Sequence, residues 1–384
     1  MSSRIDRIMF KNNKNPIIFL MSANDIGGVT KVTLNICKEL QKMNIACEIH
    51  IPFFTHFYYT KTLRAQKNLT DVKLWIRYLL GQIRLEVRQR RLKFCGERLL
   101  ITDAKIVRYI FNPSLKRLKR SKFIVIQQST LLQQLVDLGI TENKILIVVH
   151  HLFTNNPADL ELKNLKYPVI KIASSVFTSN ELLRIGVKDS SLVHLGVDLE
   201  TFNPKNRTVS NQGEIHLGFY FHPHQRKNPI LVESLVKYFI ELNKKNIFVH
   251  IFGNSFNKKR VNNYVIVNEN IAEYEYARKI ANLDLFIFAS NMEGFGLPPL
   301  EAMASGVPVI TSCVGAVPEY MNTDCGVMLD NEFSKEVWIQ EITKLVENSK
   351  ERTRLGICAR LAAEKYSWEK TTLKYLELFS QLNK

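Results

Sequence analysis

The chain has 384 residues, 46% of them hydrophobic, and a formal charge of +17 at pH 7. This length is enough for two or three domains, and no apolar run reaches the length of a membrane span. The polar start at Met1 does not resemble a cleaved signal peptide. The cysteines are scattered without a Cys-x-x-Cys pair, which argues against a zinc site or a disulfide framework and indicates a reducing cytosol. The positive charge predicts an anionic partner, such as nucleic acid, a membrane surface or a charged substrate.

The first elements predict a Rossmann-like domain. Residues 16–21 are an apolar run typical of a buried strand, a turn with Gly27 and Gly28 follows, and residues 31–43 have an approximately helical pattern. The turn lacks Gly-x-Gly-x-x-Gly, so dinucleotide binding is not supported. The two glycines allow the close backbone approach that a phosphate or sugar needs, or they simply form a tight turn.

Residues 57–122 are rich in lysine and arginine, interleaved with aromatic and aliphatic side chains, and end in a basic cluster at residues 116–122. A basic amphipathic helix is typical of membrane-surface binding, and the alternative is a solvated helix face in a basic protein. Nucleic acid also suits the charge. No nucleic-acid-binding motif accompanies this segment, so no nucleic-acid partner is expected.

Further strands are predicted at residues 122–126, 144–149 and 169–173. His150 and His151 follow the second of them directly. The carboxyl ends of parallel strands face the ligand crevice of such a sheet, so one histidine of the pair is a candidate for ligand contact. The alternative is two ordinary histidines at the edge of a loop.

The alternation of strands and helices starts again near residue 213, which predicts a second Rossmann-like domain facing the first. The first strand of this domain is predicted at residues 214–220, and the loop after it contains His222, Arg226 and Lys227. A cation in this loop can balance the charge of a leaving diphosphate, whereas the alternative is a solvated basic loop.

Residues 291–310 are the most informative segment. An apolar run at residues 283–289 predicts a buried strand, and Glu293 and Glu301 then lie eight positions apart around a turn rich in glycine and proline. The amides of this turn can bind an anion at the start of a short helix predicted at residues 300–305. The carboxylates can accept hydrogen bonds from sugar hydroxyls, although a plain strand-to-helix connection with a capping glutamate is the alternative.

This segment resembles the Glu-x7-Glu signature of retaining glycosyltransferases with the glycosyltransferase-B fold, most closely glycosyltransferase family 4. The similarity extends beyond the two glutamates to other segments: Gly294–Pro298, Gly315–Glu319, Ile172–Leu183, Leu195–Pro204 and Tyr366–Lys370. The N-terminal half is similar only at its first turn and a few strands.

The resemblance implies an α/β fold of two facing Rossmann-like domains with an interdomain cleft. An acceptor-binding domain would cover residues 1–196 and a donor-binding domain residues 197–365, with a C-terminal helix at 366–384 packing back on the first domain. Glu293 would then lie by the donor sugar and Glu301 by the ribose. The other donor-binding residues implied are on the turns and strand ends: Gly27, Gly28, His150 or His151, Phe295, Gly296 and Leu297.

The family has an arginine and a lysine spaced by four residues in the loop after the first strand of this domain. Lys227 matches the lysine, but the arginine position holds His222. Either Arg226 takes over the role of the arginine, or His222 donates a hydrogen bond to the phosphate. The expected catalytic residues are therefore Glu293, Lys227 and Arg226.

These observations predict a hexosyltransferase that moves a sugar from a nucleotide-sugar to an acceptor hydroxyl with retention, in cell-surface polysaccharide synthesis such as that of O-antigen or capsule. No Asp-x-Asp motif is present, so neither an obligatory metal nor a cofactor is expected. The expected acceptor is a glycan or lipid-linked glycan at the inner face of the cell membrane, with residues 57–122 on the anionic surface. The alternatives are a non-catalytic nucleotide-sugar or membrane-binding module and a basic nucleic-acid binder.

Overall fold

The computed structural model describes most of the chain in twelve ranges: residues 15–21, 28–52, 105–109, 114–150, 152, 159–208, 213–242, 244–253, 256, 264–269, 271–330 and 332–382. Gly27, His151 and most of the basic segment 57–122 lie outside the described residues, so the predictions made for them stay predictions. Within the described ranges, no helix has both the length and the apolar character needed to cross a membrane.

The N-terminal half forms a parallel sheet of seven strands: β1 (Ile17–Leu20), β2 (Cys47–Pro52), β3 (Lys105–Tyr109), β4 (Phe123–Ile126), β5 (Ile145–Val149), β6 (Ile170–Ala173) and β7 (Ser190–Leu192). Their order is β3-β2-β1-β4-β5-β6-β7, with Ile17 opposite both Cys47 and Phe123. Among the described residues of this half, the helices are α1 (Gly28–Lys42), α2 (Leu115–Arg120), α3 (Leu132–Asp137), α4 (Asp159–Lys166) and α5 (Val176–Arg184). Strand β1 is buried at every position, as expected for a parallel sheet covered on both faces.

The C-terminal half forms a second parallel sheet of six strands: β8 (Ile215–Phe221), β9 (Ile247–Gly253), β10 (Val265–Asn268), β11 (Leu285–Phe288), β12 (Val309–Ser312) and β13 (Val327–Leu329). Their order is β10-β9-β8-β11-β12-β13. The helices are α6 (Pro229–Glu241), α7 (Glu273–Ala281), α8 (Leu297–Ala304), α9 (Val317–Tyr320), α10 (Lys335–Glu347), α11 (Ser349–Ala363) and α12 (Trp368–Gln381). The predicted α/β class with two Rossmann-like sheets is confirmed.

Two helices begin three residues earlier than the sequence pattern predicts. Helix α1 starts at Gly28 rather than residue 31, and α8 starts at Leu297 rather than residue 300. In α8 the reason lies in the prolines, which occupy the first helical turn, where a backbone N–H has no partner within the helix. Gly296 precedes them with a φ of +82°, a conformation that favours glycine.

Each sheet reverses its strand order once, between β1 and β4 in the first sheet and between β8 and β11 in the second. In open parallel sheets, ligands bind outside the carboxyl ends of the strands at such a switch point. The loop after β8 contains Lys227, and the turn after β11 contains Glu293. The topology therefore brings the two most informative segments of the second half to one edge of its sheet.

The chain passes between the two sheets at two places that lie side by side. Val197 forms a parallel bridge with Ser367, and its N–H donates to the carbonyl of Tyr366 at 3.1 Å. A Cβ on Gly196 would come within 2.3 Å of the backbone of Ser367, so a larger residue does not fit there. Helix α12 then returns to the first sheet, where Phe379 stacks on Phe123 with ring centroids 4.7 Å apart. The division of the chain at residues 196 and 365 stays a prediction.

Glu319, on α9 of the second half, binds the N-terminus of α5 in the first half. Its carboxylate accepts hydrogen bonds from the amides of Val176 and Phe177, each at 2.9 Å, and lies 2.7 Å from Nε2 of His194. These amides have no partner within their own helix, and the helix dipole favours a negative charge there. Burial alone would raise the pKa of Glu319, but the hydrogen bonds from His194, Phe177 and Val176 lower it below its usual value.

We expect Glu319→Ala to lower the free energy of unfolding by about 2 kcal/mol at pH 7, in the range measured for the loss of a helix cap. Since the pKa of Glu319 is lower in the folded protein than in the unfolded chain, this contribution exists above the unfolded value and is lost as the pH falls through the folded value. Urea unfolding at about pH 7 and about pH 3.5 measures the difference, with the exposed Glu364→Ala as control. An equal loss at both pH values would contradict the charged cap.

Candidate functional site

The loop after β8 is fixed on the turn after β11 through one carbonyl group. The carbonyl oxygen of Arg226 accepts a hydrogen bond from the amide of Asn291 at 2.8 Å and lies 3.0 Å from Ser290 Oγ. The next residue in the loop, Lys227, lies in a short 3-10 turn that leads into α6. These backbone contacts hold the side chain of Lys227 against Glu293, so two of the three residues predicted to be catalytic are in contact.

Glu293 is a buried carboxylate, 8% exposed. It accepts hydrogen bonds from Lys227 Nζ and, at 2.6 Å, from Ser290 Oγ. The ammonium group of Lys227 also lies over the rings of Tyr220 and Phe288, 5.6 and 5.4 Å from their centroids. A buried charge is costly unless it is paired, so the lysine and the glutamate stabilise each other.

The turn between the two glutamates is held by packing as well as by its own backbone. Tyr320 donates its hydroxyl to the carbonyl of Gly296 at 2.8 Å, and its ring lies 5.6 Å from that of Phe295. A Cβ on Gly315, whose φ is +57°, would come within 2.2 Å of the carbonyl oxygen of Glu293. This glycine of the Gly315–Glu319 segment is therefore required for close approach to the turn. The turn leads directly into α8 at Leu297, so the start of the helix faces the same edge.

Glu301, on α8, is 4% exposed and is paired across the two halves of the protein. Its carboxylate accepts a hydrogen bond from Lys31 Nζ, on α1 of the first half, and Lys31 also lies 2.7 Å from Glu273 Oε1. Burial raises the pKa of Glu301, and the positive charge of Lys31 offsets part of that increase. The pattern of residues 31–43 had identified Lys31 only as a helical residue, since its partners are distant in sequence.

His150 is connected to the Glu293 turn through the first turn of α5. Thr178 Oγ1 donates to the carbonyl of His150 at 3.1 Å, and Ser175 Oγ donates to the carbonyl of Gly294 at 3.2 Å. The His150 ring itself has its Nε2 2.7 Å from Oε1 of Gln127, at the end of β4. The first turn of α5 therefore contacts both the strand end that carries His150 and the turn that carries Glu293.

His222 and Arg226 both remain in the loop beside Lys227. The ring Nδ1 of His222 accepts a hydrogen bond from the amide of His224 at 3.1 Å. Burial, together with the positive charges of Lys227 and Arg226, lowers the pKa of His222, so its ring is neutral near pH 7. His222 is thus suited to hydrogen bonding and Arg226 to charge balance, and the choice between them stays open.

The structure thus brings Glu293, Lys227 and Ser290 together, and places Glu301 on the helix that follows. Gly28 lies in the first turn of α1, as does Lys31, and a Cβ on Gly28 would meet no described atom within 4 Å. The sequence pattern missed Lys31, Glu273 and Ser290, none of which has a local signal. Among the residues that the structure describes, no group of three or more His, Cys, Asp or Glu side chains is arranged to hold a metal ion.

Comparison with known proteins gives similarities in sequence and in fold. Residues 206–361 match the family described as Glycosyl transferases group 1. The MMP alpha-(1->4)-mannosyltransferase of Mycolicibacterium hassiacum is 25% identical over 231 residues, which cover 56% of this chain and 54% of that protein. The chain therefore spans about half the length of this relative.

Two solved structures are similar over nearly the whole chain. HepE of Anabaena, in complex with UDP-glucose, has a TM-score of 0.67 at 14% identity, covering 95% of this chain and 99% of HepE. WaaG, a glycosyltransferase involved in lipopolysaccharide biosynthesis, has a TM-score of 0.65 at 10% identity, covering 95% of this chain and 100% of WaaG. The chain therefore has the glycosyltransferase-B fold, and its second half is similar to the glycosyl transferases of group 1.

Proposed function

We propose that this protein transfers a sugar from a nucleotide-sugar to a hydroxyl group of a glycan or lipid-linked glycan, with retention of anomeric configuration. The observation that carries the proposal is the pair of buried glutamates, Glu293 and Glu301, at the switch point of the second sheet, each bonded to a lysine. Buried carboxylates with cations beside a helix N-terminus suit a ligand that has both hydroxyl and phosphate groups. The match to Glycosyl transferases group 1 supports the same reaction class.

The proposed reaction uses the charges at this edge of the sheet. The bond between C1 of the sugar and the phosphate oxygen breaks, and the nucleoside diphosphate leaves with the electron pair. Lys227 and the start of α8 stabilise the negative charge on the diphosphate, with Arg226 or His222 assisting. The acceptor oxygen bonds to C1 on the face that the diphosphate leaves, and its proton passes to the leaving phosphate. Glu293 binds the sugar hydroxyls, and the domains exclude water.

This arrangement supplies positive charge to the diphosphate from side chains and from helix α8. We therefore propose that the reaction needs no obligatory metal. HepE is solved in complex with UDP-glucose, and WaaG is involved in lipopolysaccharide biosynthesis. UDP-sugars are therefore the first donors to test, and cell-surface polysaccharides such as O-antigen or capsule are the first acceptor class.

We expect one member of a panel of UDP-, GDP-, ADP- and CDP-sugars to raise the melting temperature and to be hydrolysed slowly without acceptor. A ligand at 100 times its Kd stabilises the folded state by about 2.7 kcal/mol, which is a measurable shift. The same hydrolysis should persist in EDTA, and product analysis by NMR should show the donor's anomeric configuration. If no nucleotide-sugar shifts the melting temperature, the proposal is wrong.

Conservative variants separate catalysis from folding in the Glu293–Lys227 pair. Removing one charge leaves the other buried and unpaired, which costs about 3–5 kcal/mol of stability, so the double variant Glu293→Gln/Lys227→Met is the fair test. We expect it to fold and to lower kcat by at least about 100-fold, the typical loss when a group stabilising transition-state charge is removed. Lys237→Met, which removes an exposed ion pair to Glu241, is the matched control. Turnover of the double variant at the control's rate would disprove the site.

We further propose that the protein binds peripherally to the anionic inner face of the cell membrane through residues 57–122. The described end of this segment supports the proposal, since α2 buries Leu118 while Lys116, Lys119 and Arg120 are exposed. Exposed basic residues near an anionic surface contribute about 1 kcal/mol each.

The charge reversal Lys116→Glu/Lys119→Glu/Arg120→Glu should therefore release the protein from vesicles of phosphatidylglycerol and phosphatidylcholine. Co-sedimentation over a salt series measures the effect, because electrostatic binding weakens as salt rises. The matched control reverses three exposed lysines in the second half: Lys335, Lys344 and Lys350. Equal release by the control, or tighter binding to oligonucleotides than to vesicles, would contradict the proposal.

A further inference from the structure

Lys31 lies in the first turn of α1, yet its ammonium group contacts the second half of the protein. Its Nζ donates to the carboxylate of Glu301 and lies 2.7 Å from Glu273 Oε1. The same atom lies 4.8 Å from the centroid of the Phe202 ring. Its side chain is only 25% exposed, so the cation is held by two carboxylates and an aromatic ring from three separate segments.

The chemistry of Glu301 depends on its charge. An ionised carboxylate accepts hydrogen bonds at both oxygens, whereas a protonated carboxyl uses one oxygen as a donor. Two neighbouring hydroxyl groups, such as those of a ribose, are therefore bound best by the ionised form. Burial at 4% exposure favours the protonated form, and the negative charge of Glu273 favours it further.

Within the described part of the chain, the titratable groups that act on Glu301 are a lysine, a glutamate and three tyrosines, contributed by α1, α7, β8 and α9: Lys31, Glu273, Tyr276, Tyr220 and Tyr320. Burial raises the pKa of all three tyrosines, that of Tyr220 to about 12, so they are neutral between pH 5 and 9. The positive charge in this group comes from Lys31, whose own pKa is raised because the attraction of Glu301 and Glu273 outweighs the effect of its burial.

We propose that Lys31 is a positioning residue for the ribose of the donor. It orients the carboxylate of Glu301 and keeps it ionised, and it does so from the opposite domain. This inference rests on the proposed function, because it takes the ribose of a nucleotide-sugar as the ligand of Glu301. Ribose binding is then coupled to contact between the domains. Separation of the domains would carry the cation away from Glu301, weaken its hold on the ribose and favour release of the nucleotide product.

Substitution of Lys31 tests this coupling through a pH profile. The probes are UDP, GDP and ADP, and the one that binds the wild-type protein most tightly is titrated by calorimetry from about pH 5.5 to 8.5. Without Lys31 the pKa of Glu301 moves further up, so the carboxyl is protonated as the pH falls. We expect the Kd of Lys31→Met to exceed that of the wild type by about tenfold at the low end and to approach it at the high end, which corresponds to a shift of about one pKa unit. The ratio of the two Kd values at each pH is the measured quantity, because ionisation of the terminal phosphate of the nucleotide, with a pKa of about 6, changes both values alike.

Three comparisons separate this role from a structural one. Lys31→Arg should restore the wild-type profile, because it returns the charge. Lys38→Met is the matched control, since Lys38 lies on the same helix and has an ion pair at 2.8 Å with Asp198, whose side chain is 8% exposed. It should leave the profile unchanged. The 2′-deoxy form of the chosen nucleotide, which lacks one ribose hydroxyl, should show a smaller effect of Lys31→Met than the ribonucleotide.

A ratio of the Lys31→Met Kd to the wild-type Kd that does not change with pH, or the same profile in Lys38→Met, would overturn the role of Lys31 and leave the proposed function intact. Failure of Lys31→Arg to restore the profile would also overturn it. Absence of binding by the wild-type protein to all three nucleotides would instead overturn the proposed function, and this inference with it.

Discussion

The arrangement of this protein depends on the burial of two carboxylates at one edge of a parallel sheet. A buried carboxylate is tolerated only with a cation and further hydrogen bonds, so each glutamate imposes a requirement on its surroundings. Glu293 meets it within its own domain, through Lys227 and Ser290. Glu301 meets it through Lys31, from the other domain. One charge pair therefore organises the second domain locally, while the other makes the contact between the domains part of the site.

Two helix N-termini at this junction have opposite surroundings. The first amides of α5 are taken by a carboxylate of the protein itself, Glu319, which joins the domains. Helix α8 begins at Leu297, after Gly296, with no side-chain cap among the described residues, beside Glu293 and Lys227. The electrostatic preference of a helix N-terminus for anions thus stabilises the domain contact at one helix and suits a phosphate group at the other. The same first turn of α5 also contacts the strand end that carries His150.

Much of the fold was predictable from the sequence, because parallel strands covered on both faces are short, wholly apolar runs. The run at residues 283–289 indicated β11, and the turn after it indicated Glu293. Lys227 was predictable because it lies in the loop after a predicted strand of the same domain, β8. Lys31 was not, because a lysine in the first turn of a helix is ordinary, and its partner Glu301 is 270 positions away. The early starts of α1 and α8 were missed because glycine and proline interrupt the helical pattern without preventing the helix.

The glycines show the same difference between what the sequence indicates and what only the structure explains. Gly315 belongs to a segment that the family resemblance identified, but the reason for it, contact with the carbonyl of Glu293, is visible only in three dimensions. At Gly196, a Cβ would meet the backbone of Ser367. This contact lies at the point where the two connections between the domains run side by side.

These paired connections restrict how the protein can change shape. Two linkers at opposite ends of an interface would fix both ends of it. A single unpaired linker would let the domains change their relative position and orientation freely. Here the two connecting segments lie side by side, joined by the hydrogen bond from the N–H of Val197 to the carbonyl of Tyr366, and form a single narrow pivot. A rotation about this pivot would leave that hydrogen bond in place, whereas a sliding movement of the domains would break it. A rotation that separated and rejoined the domains would therefore return Lys31 to the same carboxylate, in the same register.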